Sequence, residues 1–271
     1  MRSAYTRSGD LPPEPEPLRT PAVDSHCHLD LMGDDIGGVL DMAARAGVPR
    51  VVTIGIDVPS SRLAASQAAS WPAVAAAVAI HPNHADESTD EALAEIARLA
   101  ALPEVRAVGE TGLDFYRDSA QVPNQERSFR AHIDIAKRTG KALVIHDRDA
   151  HDDVLRVLLE EGAPEQTVFH CFSGDAAMAR TCADRGYVMS FAGNVTFKNA
   201  GDLRDAAAVA PLELLLVETD APFLTPMPHR GKPNAPYLIP LTVRALAEVK
   251  GVGEDELAAA VTANATRVFG P

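Results

Sequence analysis

The stretch AVDSHCHLD, residues 22–30, decides how this chain is read. Ala22 and Val23 suit a buried strand, whereas Asp24, Ser25, His26 and His28 make its exit polar. Two surface rings would account for the histidines singly. A metal site would account for their spacing, because strand residues i and i+2 face the same way at a rise of about 3.3 Å per residue. His26 and His28 can then reach one ion together, and Cys27 turns to the opposite side. The choice depends on whether the pattern recurs.

It does recur. Apolar runs at 22–26, 50–56, 73–80, 105–109, 142–146, 166–170, 187–191 and 213–218 read as strands. Helical segments fall near 35–47, 59–70, 88–101, 122–139, 149–161, 175–186, 200–209 and 237–250, with one more at 253–268. Leu93, Ile96, Ala97 and Ala100 share a helical face, and Ser88 or Thr89 and the Gly174-Asp175 pair mark helix starts. Eight β-then-α units in roughly 250 residues is the arithmetic of a TIM (β/α)8 barrel. A doubly wound open sheet satisfies the same alternation. The expected fold is therefore α/β, a TIM (β/α)8 barrel with an extra C-terminal helix, in one domain over 22–271.

Composition narrows the function. The apolar fraction is 46% of 271 residues but aromatics are only 5%, and the alanine-rich remainder favours closely packed helices. A net charge of -13 argues against gripping long duplexes through counterion release, while leaving room for a nucleic-acid end held by a few contacts. Cys27, Cys171 and Cys182 form no disulfide framework, so a reducing cytoplasm is expected. No apolar run is long enough to span a membrane. Residues 1–21 lack the apolar core of a secretory signal and carry five prolines between Pro12 and Pro21, which predicts a disordered arm outside the fold.

In a TIM barrel the chemistry sits at the C-terminal ends of the strands. Here those ends carry His26 and His28, then His81, Glu110, His146, His170 and finally Glu218 with Asp220. One histidine at a strand end is commonly a hydrogen-bonded structural residue, but five such histidines joined by two carboxylates predict a metal centre. Asp220 can close the ion bound by His26 and His28. His146 and His170, on adjacent strands, suit a second ion, and Glu110 can bridge the two. His132, His151 and His229 are expected on helix surfaces or loops.

The ordered motifs DSHCHLD, AIHPNHA, GETGLDFYRD, VIHDRDA, HCFSG, GNVTFKNA, ETDAPFLTP, HRGKPNAPYLI and TANATRVF resemble the TatD family of metal-dependent deoxyribonucleases, within the amidohydrolase superfamily, from Val23 to Phe269. The resemblance implies a distorted TIM barrel with one or two divalent ions; two are expected, and the imidazole and carboxylate donors favour zinc, magnesium or manganese. It assigns His26, His28, Glu110 and Asp220 to the first, and Glu110, His146 and His170 to the second. One departure stands out: many members carry H-P-H after the third strand, whereas this chain has His81-Pro82-Asn83.

The expected reaction is hydrolysis of DNA phosphodiester bonds at single-stranded 3′ ends by a metal-activated water, in a monomer. Asp220 is the expected general base, with Glu110 the second catalytic carboxylate. His81, Asn83, Arg117, Arg148 and Arg230 are the expected substrate contacts, with Lys198 and Lys232 as further cations and Phe115 and Tyr116 as surfaces for a base. The same scaffold could instead cleave a carboxyl ester or amide, as in D-aminoacyl-tRNA deacylation, or bind metal without catalysis.

Overall fold

The computed structural model describes residues 10–117 and 119–271. Eight strands alternate with helices along the chain: β1 Val23–Cys27, α1 Ile36–Arg45, β2 Arg50–Ile54, α2 Val58–Ser70, β3 Val74–Val78, α3 Asp90–Ala100, β4 Val105–Asp114, α4 Val122–Thr139, β5 Ala142–Arg148, α5 His151–Glu161, β6 Thr167–Phe169, α6 Ala176–Asp184, β7 Val188–Phe191, α7 Gly201–Val209, β8 Leu215–Val217, α8 Ile239–Lys250 and α9 Glu254–Phe269. The strands form one sheet in the order β1 to β8, each joined to the next by a helical crossover. This is the (β/α)8 TIM-barrel architecture, with α9 as the additional C-terminal helix.

Among the described residues the chain divides into two compact units, residues up to 52 with 174–267 and 271, and residues 53–173 with 268–270. In the second unit, β3 is the run VAAAV with every residue buried. Ala64, Ala65 and Ala68 of α2 are buried as well, so methyl-sized side chains let the helix sit close to the sheet. Asp57 and Ser60 cap α2 reciprocally, and Thr89 caps α3 by accepting the Ala92 N–H at 3.2 Å.

Strand β4 runs five residues beyond the expected 105–109, which places Glu110 inside the strand and Asp114 at its end. Its pairing with β5 shifts between Val108 and Thr111. Two glycines make the close approach possible. A Cβ on Gly109 would stand 2.5 Å from the Val144 Cβ, and one on Gly112, at φ 139°, would stand 2.1 Å from the His146 carbonyl oxygen.

In the first unit, residues 11–21 differ from the expected disordered arm. Leu18 is buried and its N–H bonds to the Ala46 carbonyl at 3.1 Å. The Tyr237 hydroxyl donates to the Pro12 carbonyl at 2.5 Å, and the Arg244 guanidinium donates to the Glu16 carbonyl at 2.7 Å. The physical reason is that an extended proline-rich strand leaves its carbonyls without internal partners, so donors projecting from a helix can take them. The expectation for residues 1–9 lies outside the described residues.

His132 also departs from expectation. Rather than lying on a helix surface it is fully buried on α4, with Nε2 accepting the Ile80 N–H at 3.0 Å and Nδ1 facing the Ser128 carbonyl at 2.7 Å. Since Nε2 accepts, Nδ1 carries the proton. Burial lowers this ring's pKa to about 4. In the unfolded chain it titrates near 6.5, so the unfolded state binds more protons between those values and stability falls as pH drops through that window. His132→Leu should cost about 1–3 kcal/mol at pH 7 by orphaning the Ile80 N–H. Urea melts of this variant should also lose up to about 3 kcal/mol of the acid-induced destabilisation between pH 6.5 and pH 4. An unchanged acid slope would show that other groups carry it.

Candidate metal centres

In the second unit three side chains converge. Nε2 of His170, just past β6, lies 2.8 Å from Oε2 of Glu110. Nδ1 of His146 lies 3.3 Å from the same oxygen and 3.4 Å from Nε2 of His170. His81, in the loop after β3, packs edge-on against His146 at 4.4 Å between ring centroids, with Nε2 3.8 Å from Oε2 of Glu110. His81, Glu110 and His146 form one group able to hold a metal ion.

Asp114, which sequence reasoning missed, organises this cluster. It is buried, and its Oδ2 lies 3.2 Å from Nε2 of His146. That contact takes one ring nitrogen and leaves Nδ1 free to turn toward Glu110 and His170, the arrangement by which an outer carboxylate orients a metal-ligating histidine. Burial alone would raise the Asp114 pKa, but the His146 ring and the Arg117 N–H hold it down at about 2. For His146 the balance runs the other way: burial lowers its pKa, and Asp114 and Glu110 together raise it above the usual value. His81 is held well below the histidine range by burial and by the neighbouring His146. Its Nδ1 accepts the Asn83 N–H at 3.0 Å, so the neutral ring carries its proton on Nε2, facing Glu110.

The first unit holds a second cluster where β1 and β8 end side by side. Asp220 Oδ1 lies 3.8 Å from Nε2 of His26 and 3.5 Å from Nε2 of His28. Asp24 holds the two strand exits together: Oδ1 accepts the Thr219 N–H at 2.9 Å and the His26 N–H at 3.2 Å, and Oδ2 accepts the Thr219 hydroxyl at 2.5 Å. The Asp220 N–H then donates to the His26 carbonyl at 2.9 Å, and the His28 N–H to the Ala221 carbonyl at 2.8 Å. Asp220 itself has φ 52°, a left-handed conformation that a short polar side chain tolerates. Asn234 fixes the far side of the turn by donating to the Thr219 and Phe223 carbonyls at 2.9 and 2.6 Å. Cys27 points away as alternation requires, its thiol 3.6 Å from the Val52 carbonyl.

Each cluster gathers imidazole nitrogens around a carboxylate oxygen, donor types that suit a divalent cation. The family model described as TatD related DNase matches residues 23–270. The chain belongs to the TatD family. It is 52% identical over 258 residues to a Mycobacterium tuberculosis protein named uncharacterized metal-dependent hydrolase TatD, covering 92% of this chain and 97% of that one. A Bacillus subtilis relative, the uncharacterized metal-dependent hydrolase YabD, is 39% identical over 249 residues, covering 91% of this chain and 98% of that one. Among solved structures, the Escherichia coli TatD homologue YjjV superposes with a TM-score of 0.87 at 29% identity, covering 92% of this chain and 98% of that one. This TatD-family chain is a metal-dependent hydrolase.

The remaining expected contacts distribute unevenly. Asn83 donates to Asp114 Oδ2 at 3.4 Å, so the residue that replaces the second histidine of H-P-H joins the carboxylate behind His146. The Arg148 guanidinium lies 3.9 Å from the centre of the Tyr116 ring, and the Arg117 N–H bonds to Asp114 at 2.9 Å while its side chain is exposed. Arg230, in the other unit, lies over Phe197 at 4.3 Å. His151 is partly exposed and bonds to Asp147 at 2.8 Å.

Two outcomes follow for this TatD-family site. Titrating the chelated protein with Mn²⁺ or Zn²⁺ should raise its melting temperature, with about 2.7 kcal/mol of added stability when free ion is a hundredfold above Kd. Asp114→Ala should weaken binding of either ion about 10–100-fold in chelator competition, and wild-type affinity in that variant would remove Asp114 from the metal centre.

Proposed function

We propose that this TatD-family hydrolase is a deoxyribonuclease that removes nucleotides from single-stranded 3′ ends. The observation that carries the proposal is the convergence of Glu110, His146 and His170 in front of the buried Asp114, within a chain matched throughout by the family described as TatD related DNase. His26, His28 and Asp220 are assigned to one divalent ion and Glu110, His146 and His170 to another. Zinc, manganese and magnesium all suit donors of these types. Bound ions supply Lewis-acid charge and lower the pKa of an attacking water.

The chain's own residues do the rest. Asp220 turns Oδ1 toward both His26 and His28, which leaves Oδ2 to accept the proton of the attacking water. Glu110 fixes His146 and His170 through one carboxylate oxygen. His81, neutral and protonated at Nε2, is a donor suited to a phosphoryl oxygen. Arg117, Arg148 and Arg230 supply positive charge for the remaining phosphate oxygens, and Asn83 a neutral donor. In this reading DNA is the substrate and the enzyme acts as a monomer. A reducing cytoplasm fits three cysteines of which none forms a disulfide. Among the described residues no helix is long and apolar enough to cross a membrane.

The test is a substrate panel of 3′-labelled single-stranded DNA, duplex DNA and aminoacyl-tRNA, each with Mg²⁺, Mn²⁺ and Zn²⁺. Release of mononucleotides from the single strand is the expected result, and Asp220→Asn should reduce kcat by about 10²–10⁴-fold, the usual worth of a positioned base. Cleavage confined to the aminoacyl ester would replace this reading with the deacylase one.

A further inference from the structure

We propose that Tyr116 and Arg148 form a stacking platform for the terminal nucleobase of the DNA strand, an assignment that rests on the deoxyribonuclease reading. Tyr116 is 65% exposed and its neighbour Phe115 is 38% exposed, both large apolar side chains that normally seek burial. A scattered exposed aromatic needs no explanation by itself. These two differ in how they are held.

The Tyr116 backbone is bound to the carboxylate that orients a metal-ligand candidate, and the Phe115 backbone to the neighbouring strand. Asp114 Oδ1 accepts the Tyr116 N–H at 3.0 Å and the Arg117 N–H at 2.9 Å, while Oδ2 of the same group faces His146. The Phe115 N–H donates to the Arg148 carbonyl at 2.9 Å, tying the turn to the end of β5. Arg148 stands two residues past His146 on that strand, so both side chains leave the same face. The Tyr116 backbone is therefore tied to His146 through one carboxylate, although the side chain is largely exposed.

The Arg148 guanidinium covers one side of that ring, with its carbon 3.9 Å from the centroid. Cation–π attraction fixes the ring's plane and leaves the opposite side to solvent. A planar, electron-rich surface backed by a cation beside a phosphoryl-transfer site matches a nucleobase with its adjoining phosphate, and Arg117 on the same turn offers a second cation. Every base has a π-face, so the platform selects for the presence of a base and not for its identity. A base already paired and stacked in a duplex cannot use it, so the platform favours single-stranded ends.

The experiment compares kcat/KM on a single-stranded oligonucleotide with that on the same oligonucleotide carrying an abasic 3′-terminal residue. The wild type should prefer the intact end by about 5–150-fold, the range expected for one base–aromatic stack. Tyr116→Ala should abolish that preference, mainly through KM, and Tyr116→Phe should restore it. Arg148→Met should reduce the preference while the base identity remains unimportant. If Tyr116→Ala discriminates between the two ends as well as the wild type does, the platform is overturned and the nuclease reading stands. If the wild type releases nucleotide from neither oligonucleotide with any ion, the nuclease reading and the platform fall together.

Discussion

One buried carboxylate, Asp114, sets the geometry of the histidine cluster in the second unit. A carboxyl group taken out of water must find donors, and Asp114 finds them in His146, Asn83, Tyr116 N–H and Arg117 N–H. Its own backbone is clamped by Gln125 of α4, which accepts the Asp114 N–H at 2.9 Å and returns a donor to its carbonyl at 3.2 Å. A helix, a strand end, a loop and a metal-ligand candidate are thus satisfied through one residue. Removing it would leave several buried polar groups short of partners at once, so the cluster behaves as a unit.

Asp24 does the corresponding work in the first unit. Its carboxylate takes two donors from Thr219 and one from His26, joining the DSHCH and ETD stretches before any ion is considered. Burial raises its pKa to about 7, outweighing the lowering effect of these bonds. In both units the residues nearest the proposed ions are oriented by carboxylates that do not themselves face them. Preorganisation of this kind lets ligands meet an ion without first losing rotamer freedom.

Much of this was legible in the residues. Alternation of apolar runs with helical periods located all eight strands, because a parallel strand buried on both faces must be apolar throughout. Cap residues such as Thr89 and Asp175 marked helix starts through chemistry local to the chain. His26, His28, His81, His146 and His170 were visible because each stands at or just past the end of one of these apolar runs. Asp114 was not, because the strand that carries it was expected to end five residues earlier, and only the glycines at 109 and 112 let β4 continue against β5. The burial of His132 had a sequence signal: Phe129, Ile133 and Ala136 share its helical face and are all buried. The packing of residues 11–21 had none, since a proline-rich run reads alike whether it is solvated or held by donors from elsewhere.

By itself the sequence determined the order of elements, the membership in a metal-dependent hydrolase family and the residue types able to hold ions. Those properties depend on periodicity and on motifs whose members lie within a few residues of one another. Only the tertiary structure decided which ring nitrogen of His146 is taken by Asp114, which proton His81 carries, and that Tyr116 stands exposed with Arg148 on one side of its ring. Each of these depends on hydrogen bonds or ring contacts between residues that are distant in the chain or turned by a local irregularity. Hydrogen-bond direction is set by where the partner lies in space, and no local pattern encodes it.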